Sequence, residues 1–501
     1  MNLNLITDPW IPVRCSDGSH RVIAPWQMAE DGVVCPDWPR TDLNIACYEL
    51  LIGLVYLADP PKNLSDWKAR KSADPDRLRK KLEEYSEAFN LLGDGPRFLQ
   101  DLSKLDGVQL SPDLLFLDSA GAQTIKNNAD VMVRRYRYDR LTLPEAAMAL
   151  YSLQSSAASG GSGNRTSMRG GGPLTTIVNP EVGLWDLVCA NTPYGTPSDI
   201  DALPWMRETV TSQDGVVVPP PKGKLFNVEA FFGMPRRIRL VSNGVCINGV
   251  IQKTHGTNYV GWEHPLSPYY KLNAKDDWRA RHPGAGKYGY HNWLGTIAQR
   301  DSDDLSKLAL SLRTWVGERG GGGSIIVAGW SMDNAKPRNY IYSQQRLSNL
   351  SKEDLKVLTC LIDGASSVAG ALTSAFRSVI GTGEDRSAQK EEFFLATEKD
   401  FFLIYSAMRG NDEEIRKSLS DTQISLHWLT VLRKHALKQF DQIALPGMAL
   451  RDVETIKGIV LARKFLGMAL YGYGKQGEAI FNALGLPIPA SKKSKKVMSN
   501  D

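Results

Sequence analysis

After residue 350 the sequence changes texture, and that change constrains the fold more than any single motif. Four stretches follow one another with apolar residues recurring at spacings of three and four: SKEDLKVLTCLIDGASSVAGALTSAFRSVI, SAQKEEFFLATEKDFFLIYSAM, DEEIRKSLSDTQISLHWLTVLRKHALKQFDQI and VETIKGIVLARKFLGMALYGYG. Consecutive amphipathic helices joined by short loops must bury their apolar stripes against one another, which predicts an up-down four-helix bundle over 351–490. The first 350 residues read differently. Short apolar runs rich in Trp, Pro and Gly alternate with helical patterns at 41–59, 75–92 and 141–157. Pro144 sits near the first turn of the last of these, where proline is tolerated. Strand-like runs follow between about 205 and 350, among them RIRLVSNGVCINGVI with Asn243-Gly244 as a turn signal. The expected fold class is α+β: a large mixed α/β domain over 1–350, a C-terminal four-helix bundle over 351–490, and a basic disordered tail over 491–501 containing SKKSKK.

The bulk numbers exclude several classes. A hydrophobic fraction of 42% and a charged fraction of 23% suit an ordinary soluble globular chain. No uninterrupted apolar run approaches the roughly 20 residues that span a bilayer. MNLNLITDPWIPV lacks the basic and apolar regions of a secretory signal. Cys15, Cys35, Cys47, Cys189, Cys246 and Cys360 lie far apart without a CxxC pair, against both a zinc ribbon and a disulfide framework. A cytoplasmic location and no metal or cofactor are therefore expected. The net charge of +5 is too small to mark a nucleic-acid binder by itself. Its distribution says more: VRRYRYDR (133–140) packs four arginines among two tyrosines. Such a run reads either as a half-buried strand with a charged face, or as a segment whose guanidiniums meet phosphates while tyrosines stack on bases.

Catalytic signatures are incomplete throughout. SGGSGNRTS places Asn-Arg where a phosphate loop needs Gly-Lys, and Thr166 stands where GxGxxG needs its third glycine. GxSxG fails at Asn164. The seven histidines form no HExxH and no paired metal spacing, His291-Asn292-Trp293 begins an HNH pattern and breaks it, and His264 and His282 read as packed structural histidines. Binding is favoured over catalysis, with a nuclease using His291 and a scaffold whose glycines are only linkers as the rival readings.

SGGSGNRTSMRGGGP (159–173) leaves the 141–157 helix with two glycine clusters and two arginines. Glycine permits positive φ and lets a ligand approach the backbone with no Cβ in the way. A second glycine run, Gly320 to Gly323, precedes the strand-like SIIVAGW and a polar turn, Ser331 to Pro337, while VCINGVIQKTHGTNY presents Lys253 near its middle. A glycine loop, a lone lysine and a small polar turn together suit a DNA minor groove, which is narrow and rich in acceptors.

LITDPWIPV, SMRGGGPLTTIV (167–178), GWEHPLSPYY (261–270), YGYHNWLG (288–295) and EEFFLATEKDFF (391–402), in this order and at this length, resemble the large subunit (CasA type) of type I-E CRISPR Cascade surveillance complexes. The resemblance implies a non-catalytic reader of the protospacer-adjacent motif (PAM) in duplex DNA, which then opens the duplex for the guide RNA. It places a glycine loop on Ser159, Gly160, Gly161, Ser162 and Gly163, a lysine finger on Lys253, and a wedge on Asp333, Asn334 and Ala335. Asp333 departs from the family's amide pair or glutamine, so Asn334 is the expected inserted side chain. Lys271 and Lys275 fall where the family contacts DNA phosphates. Asn127, Asn128, Arg134 and Arg135, within 126–140, fall on the loop that docks near the 5′ end of the guide RNA. The implied partners are double-stranded target DNA with its displaced strand, guide RNA, the backbone and small subunits of the complex, and a helicase-nuclease. Some relatives carry a cysteine-rich zinc knot near position 246; with Cys246 alone here, no structural metal is expected. In the bundle, Arg377, Lys434 and Lys438 are expected on outer faces.

Overall fold

In the computed structural model the Thr41–Ala58 helix buries every residue except Thr41, Asn44 and Tyr56, as a helix apolar on nearly all sides must. The structure describes residues 2–489 apart from 129, 131, 132, 136, 162, 301, 302, 334, 348, 349, 381, 382 and 409–419. The expected tail 491–501 and the site candidates Ser162 and Asn334 therefore lie outside the described residues. The chain is a mixed α/β protein with a helical C-terminal region, and it divides into two compact units.

The first unit comprises Met1–Ala285, Gly295–Ile297 and Asp304–Asn349. Its core is built on the Thr41–Ala58 helix packed against Leu143–Ser156. The second of these starts on a reciprocal cap: Thr142 Oγ1 accepts from Glu145 N, and Glu145 accepts from Thr142 N at 3.0 Å. Pro144 occupies its first turn. The first has no such cap. Arg40 precedes it and pairs with Asp42 at 2.8 Å, and no side chain caps its start. The helix expected over 75–92 ends at Glu83, and a 3-10 turn, Ser86–Phe89, takes over so that Ala88 and Phe89 reach the core.

Four antiparallel sheets appear among the described residues. Ile11–Cys15 lies between His20–Ile23 and Val33–Pro36, and Tyr269–Tyr270 lies between Arg279–Ala280 and Ser306–Lys307. Ser324–Asp333 lies between Thr175–Asn179 and Lys336–Arg346, and Arg237–Ser242 pairs with Ile247–Lys253 alone. The expected turn Ser331 to Pro337 is corrected here. Ser331, Met332 and Asp333 continue the strand, Asp333 is in register with Lys336, and only positions 334 and 335 remain between the strands.

The second unit comprises Gly286–Leu294, Ala298–Asp303 and Leu350–Asp501. Its described helices are Lys352–Ala375, Gly383–Met408, Asp421–Ala444, Val453–Leu470 and Gly474–Ala483; the last, short one was not expected from the sequence. Tyr290 stacks on Phe401 at 4.2 Å between ring centres, and Trp428 donates Nε1 to Leu361 O at 2.8 Å. Arg377, Lys434 and Lys438 are exposed. Two helices, Thr41–Ala58 and Lys352–Ser378, do reach membrane-spanning length and hydropathy, contrary to the expectation from uninterrupted runs. The first is 83% buried in the protein, as befits a core helix.

Candidate nucleic-acid interface

The Leu143–Ser156 helix delivers the chain to Ser159, Gly160 and Gly161, all exposed. Asn164 N donates to Gly161 O at 2.8 Å and closes the loop. Gly161 has φ +65 and no atom within 4 Å of the place a Cβ would occupy, so its outer face is open. Gly163 is the opposite case. Its φ is +77, and a Cβ there would lie 2.9 Å from His255 N, a backbone atom that cannot yield.

That approach joins the loop to the lysine candidate. Lys253 ends the strand Ile247–Lys253 and is exposed. Two residues on, His255 N donates to Gly163 O at 3.1 Å, while Gln252 Nε2 donates to Asn164 Oδ1 at 2.7 Å. Arg165 Nε donates to Ser212 Oγ at 2.8 Å, and Ser212 N to Gly256 O at 3.1 Å, fastening a third segment to the same surface. Gln252 and Lys253 alternate across the strand, so the loop is fastened on the Gln252 side while the Lys253 amine lies on the Arg237 side of the hairpin, near Gly107.

Arg236 is a site residue that the motif reading missed. It is 8% exposed, donates to Ala158 O, and pairs with no carboxylate among the described residues. A Cβ on Gly160 would lie 3.0 Å from its Nη1, so this cation sits directly beneath the loop. Gln154, near the helix end, clamps its backbone, accepting from Arg236 N at 3.0 Å and donating to Arg236 O at 2.9 Å. Burial lowers its guanidinium to about 10. The run Met234-Pro235-Arg236-Arg237-Ile238-Arg239 was the available signal, being three arginines at the start of a strand.

The second glycine cluster is packed. A Cβ on Gly172 would meet Trp330 O at 2.6 Å, and φ there is +64. Arg169, between the clusters, is buried and donates to Glu49 Oε1 at 2.5 Å, Thr175 Oγ1 at 3.1 Å and Ser267 Oγ at 3.3 Å. Burial pushes Glu49 above the usual carboxylate range against the pull of Arg169. It also pulls His264, whose Nε2 lies 3.4 Å from Glu49, well below the usual imidazole range. His264 is packed, as the sequence suggested, whereas His282 is exposed at the surface, contrary to that expectation.

The remaining candidates are spread over the first unit. Asp333 accepts from Arg338 Nη2 at 2.6 Å, which neutralises the carboxylate that made it a poor neighbour for phosphates. Ala335 is exposed at φ +65. Lys271 Nζ lies 4.6 Å from the Trp278 ring centre, and Lys275 is exposed in a turn. Among the described residues of 133–140 there is no strand. Arg135 pairs with Asp130 and donates to Asn128 Oδ1 at 2.9 Å; Arg137 forks onto Asp118 at 2.8 Å on both oxygens, and Tyr138 stacks on Phe116 at 4.0 Å. Much of this arginine-tyrosine run is thus spent inside the protein. Asn127, Asn128 and Arg134 are exposed, and Arg134 makes no ion pair among the described residues. His291, the nuclease candidate, belongs to the second unit, where it stacks on Phe394 at 4.0 Å and burial lowers it to about 4.

A mixed α/β chain with a helical C-terminal region is the architecture it shares with solved CRISPR-associated structures. Thermus thermophilus CasA (Cse1) is 17% identical over 93% of this chain and 99% of that one, with a TM-score of 0.68. Thermobifida fusca Cse1 is 16% identical over 97% and 98%, with a TM-score of 0.67. A chain of a CRISPR RNA-guided surveillance complex is 13% identical over 93% and 99%, with a TM-score of 0.69. At these identities the likeness is one of fold. No curated protein sequence matches. The family model for CRISPR-associated protein Cse1 matches residues 4–439, and the chain belongs to that family.

Proposed function

We propose that this chain is the large subunit of a type I-E CRISPR surveillance complex, reading the PAM of duplex DNA from the minor groove and starting the R-loop. The observation that carries this reading is the joining of two elements ninety residues apart, with His255 N bonded to Gly163 O at 3.1 Å and Gln252 to Asn164 at 2.7 Å, so that the glycine loop is fastened to the end of the Lys253 strand. In the minor groove a lysine and backbone amides separate A·T from G·C better than A·T from T·A, so several related PAMs are tolerated. The hairpin tip at Asp333, Asn334 and Ala335 is the wedge, and its few kcal/mol of unstacking are offset by backbone contacts and heteroduplex formation. Lys271 and Lys275 hold phosphates and carry no sequence information.

In this reading Asn127, Asn128 and Arg134 dock near the 5′ end of the guide RNA, with Arg135 shaping that loop through Asp130. The C-terminal helices act as a four-helix bundle against the backbone and small subunits, and the chain offers a surface to the helicase-nuclease. It works in the cytoplasm by binding, with no catalytic centre of its own. The test is DNA binding by the assembled complex across a PAM library at fixed salt, wild type beside Lys253→Ala. A narrow PAM set for wild type that broadens in the variant supports the reading. Equal binding of all PAMs by both overturns it.

A further inference from the structure

Beside the candidate interface, the strand Arg237–Ser242 turns Ile238 and Leu240 into the core, at 0% and 3% exposure, so Arg237 and Arg239 point to the opposite face. Arg237 is in register with Lys253 and Arg239 with Ile251, which puts two arginines and the lysine on one side of the hairpin. Asp101, fully buried, accepts from Arg237 Nε at 2.5 Å. Arg239 donates only to backbone oxygens, those of Asp101 and Ser103. Arg97 lies beside this strand, its carbonyl accepting from Gln100 N at 3.0 Å while Gln100 Oε1 accepts from Leu240 N at 2.9 Å, and its buried Nε has no acceptor among the described residues. The carboxylate acting on Arg97 is the exposed Asp94. Burial lowers both guanidiniums, and Arg97's charge lowers Arg239 further. Two like charges, half out of water, with Asp101 already taken by Arg237 and Asp94 exposed, gain when a doubly coordinated anion settles between them.

We propose that this face of the hairpin is a phosphodiester-binding track leading away from the glycine loop, with Arg97 and Arg239 holding one phosphate between them. The track rests on the reading of the loop surface as a nucleic-acid interface. Positions 237 and 239 are about 7 Å apart along the strand, so successive cations meet successive points on a backbone and not one compact anion. Forked guanidiniums suit phosphate oxygens and read no sequence.

The test uses the assembled complex carrying Arg97→Glu or Arg97→Gln, with Lys253→Ala in parallel. Arg97→Glu sets a carboxylate against Arg239, so the melting temperature of the chain should hold or rise. Affinity for PAM-bearing duplexes should fall about tenfold for every PAM alike, and the slope of log affinity against log salt should shrink by about one. If duplex affinity holds but the guide RNA content of the purified complex drops, the phosphate belongs to the guide. Unchanged DNA affinity and unchanged RNA content in both Arg97 variants overturn the track. Should Arg97→Glu fail to fold, Arg97→Gln alone decides, because the buried Arg97 Nε has no acceptor among the described residues for the variant to lose. The two readings fail separately: neutral Arg97 variants beside a Lys253→Ala that loses PAM preference sink only the track. An affinity loss at Arg97 beside an unaltered Lys253→Ala sinks only the PAM assignment.

Discussion

The two glycine clusters of SGGSGNRTSMRGGGP look alike as sequence and behave oppositely as structure. Around Gly161 there is open space, whereas Cβ atoms on Gly170, Gly171 and Gly172 would meet His282 at 2.8 Å, Ala158 at 2.7 Å and Trp330 at 2.6 Å. The arginines divide the same way. Arg165 is half-buried and touches a hydroxyl, while Arg169 is buried on Glu49. In the first cluster Gly161 keeps backbone available to a partner while Gly160 and Gly163 pack on Arg236 and His255, and the second cluster lets the helix exit pack against the Ser324–Asp333 strand. Glycine content therefore signals close approach without saying whether protein or ligand does the approaching.

The sharpest test of the packed half is Arg169→Met. It leaves the Glu49 carboxylate buried beside His264 without its cation, and unfolding stability should fall by about 3–5 kcal/mol. A urea midpoint equal to wild type would break the distinction between the clusters. Gly172→Ala follows. Ala must adopt φ +64 and press on the Trp330 carbonyl, for a loss of about 2–3 kcal/mol by the same measurement.

Acid should act on the packed half through His264. It is held below its ordinary value by burial, so the unfolded chain takes up its proton first. Its contribution is complete above about pH 6.5 and is lost as pH falls below it, at up to about 1.4 kcal/mol per pH unit. Glu49, raised by burial, works the other way and gains as pH falls toward 4.5. The readout is thus the difference in slope of stability between pH 7 and pH 5 for wild type and His264→Gln. The variant should be flatter, and identical slopes would show that His264 does not titrate on unfolding.

Periodicity made the long helices legible, and Pro144 marked the first turn of one correctly. The strand Lys336–Arg346 was hidden because KPRNYIYSQQR opens with Lys-Pro and exposes most of its residues, so little apolar alternation marks it. Lys253 could be singled out by position along the chain. Its connection to Gly163 through His255 is tertiary and left no local trace. Arg135 was read as available for RNA, yet Asp130, five residues earlier, takes it up. Arg236 escaped notice because its meaning depends on Gly160, far away in sequence, and on the lack of a carboxylate around it.

The smallest effect on stability, and the finest test of the open half, comes from Gly161. With φ +65 and free space around it, Ala there should cost about 1 kcal/mol through backbone conformation alone. Asn tolerates this conformation better and should cost less. Asn also adds a side chain to the outer face of the loop. A surface that meets base edges at close range has no room for it, so Gly161→Asn should melt near wild type while duplex binding by the assembled complex weakens several-fold. A Gly161→Asn complex that binds every PAM duplex like wild type would show that no partner approaches Gly161 closely, and would leave packing within the protein as what the glycines of both clusters serve.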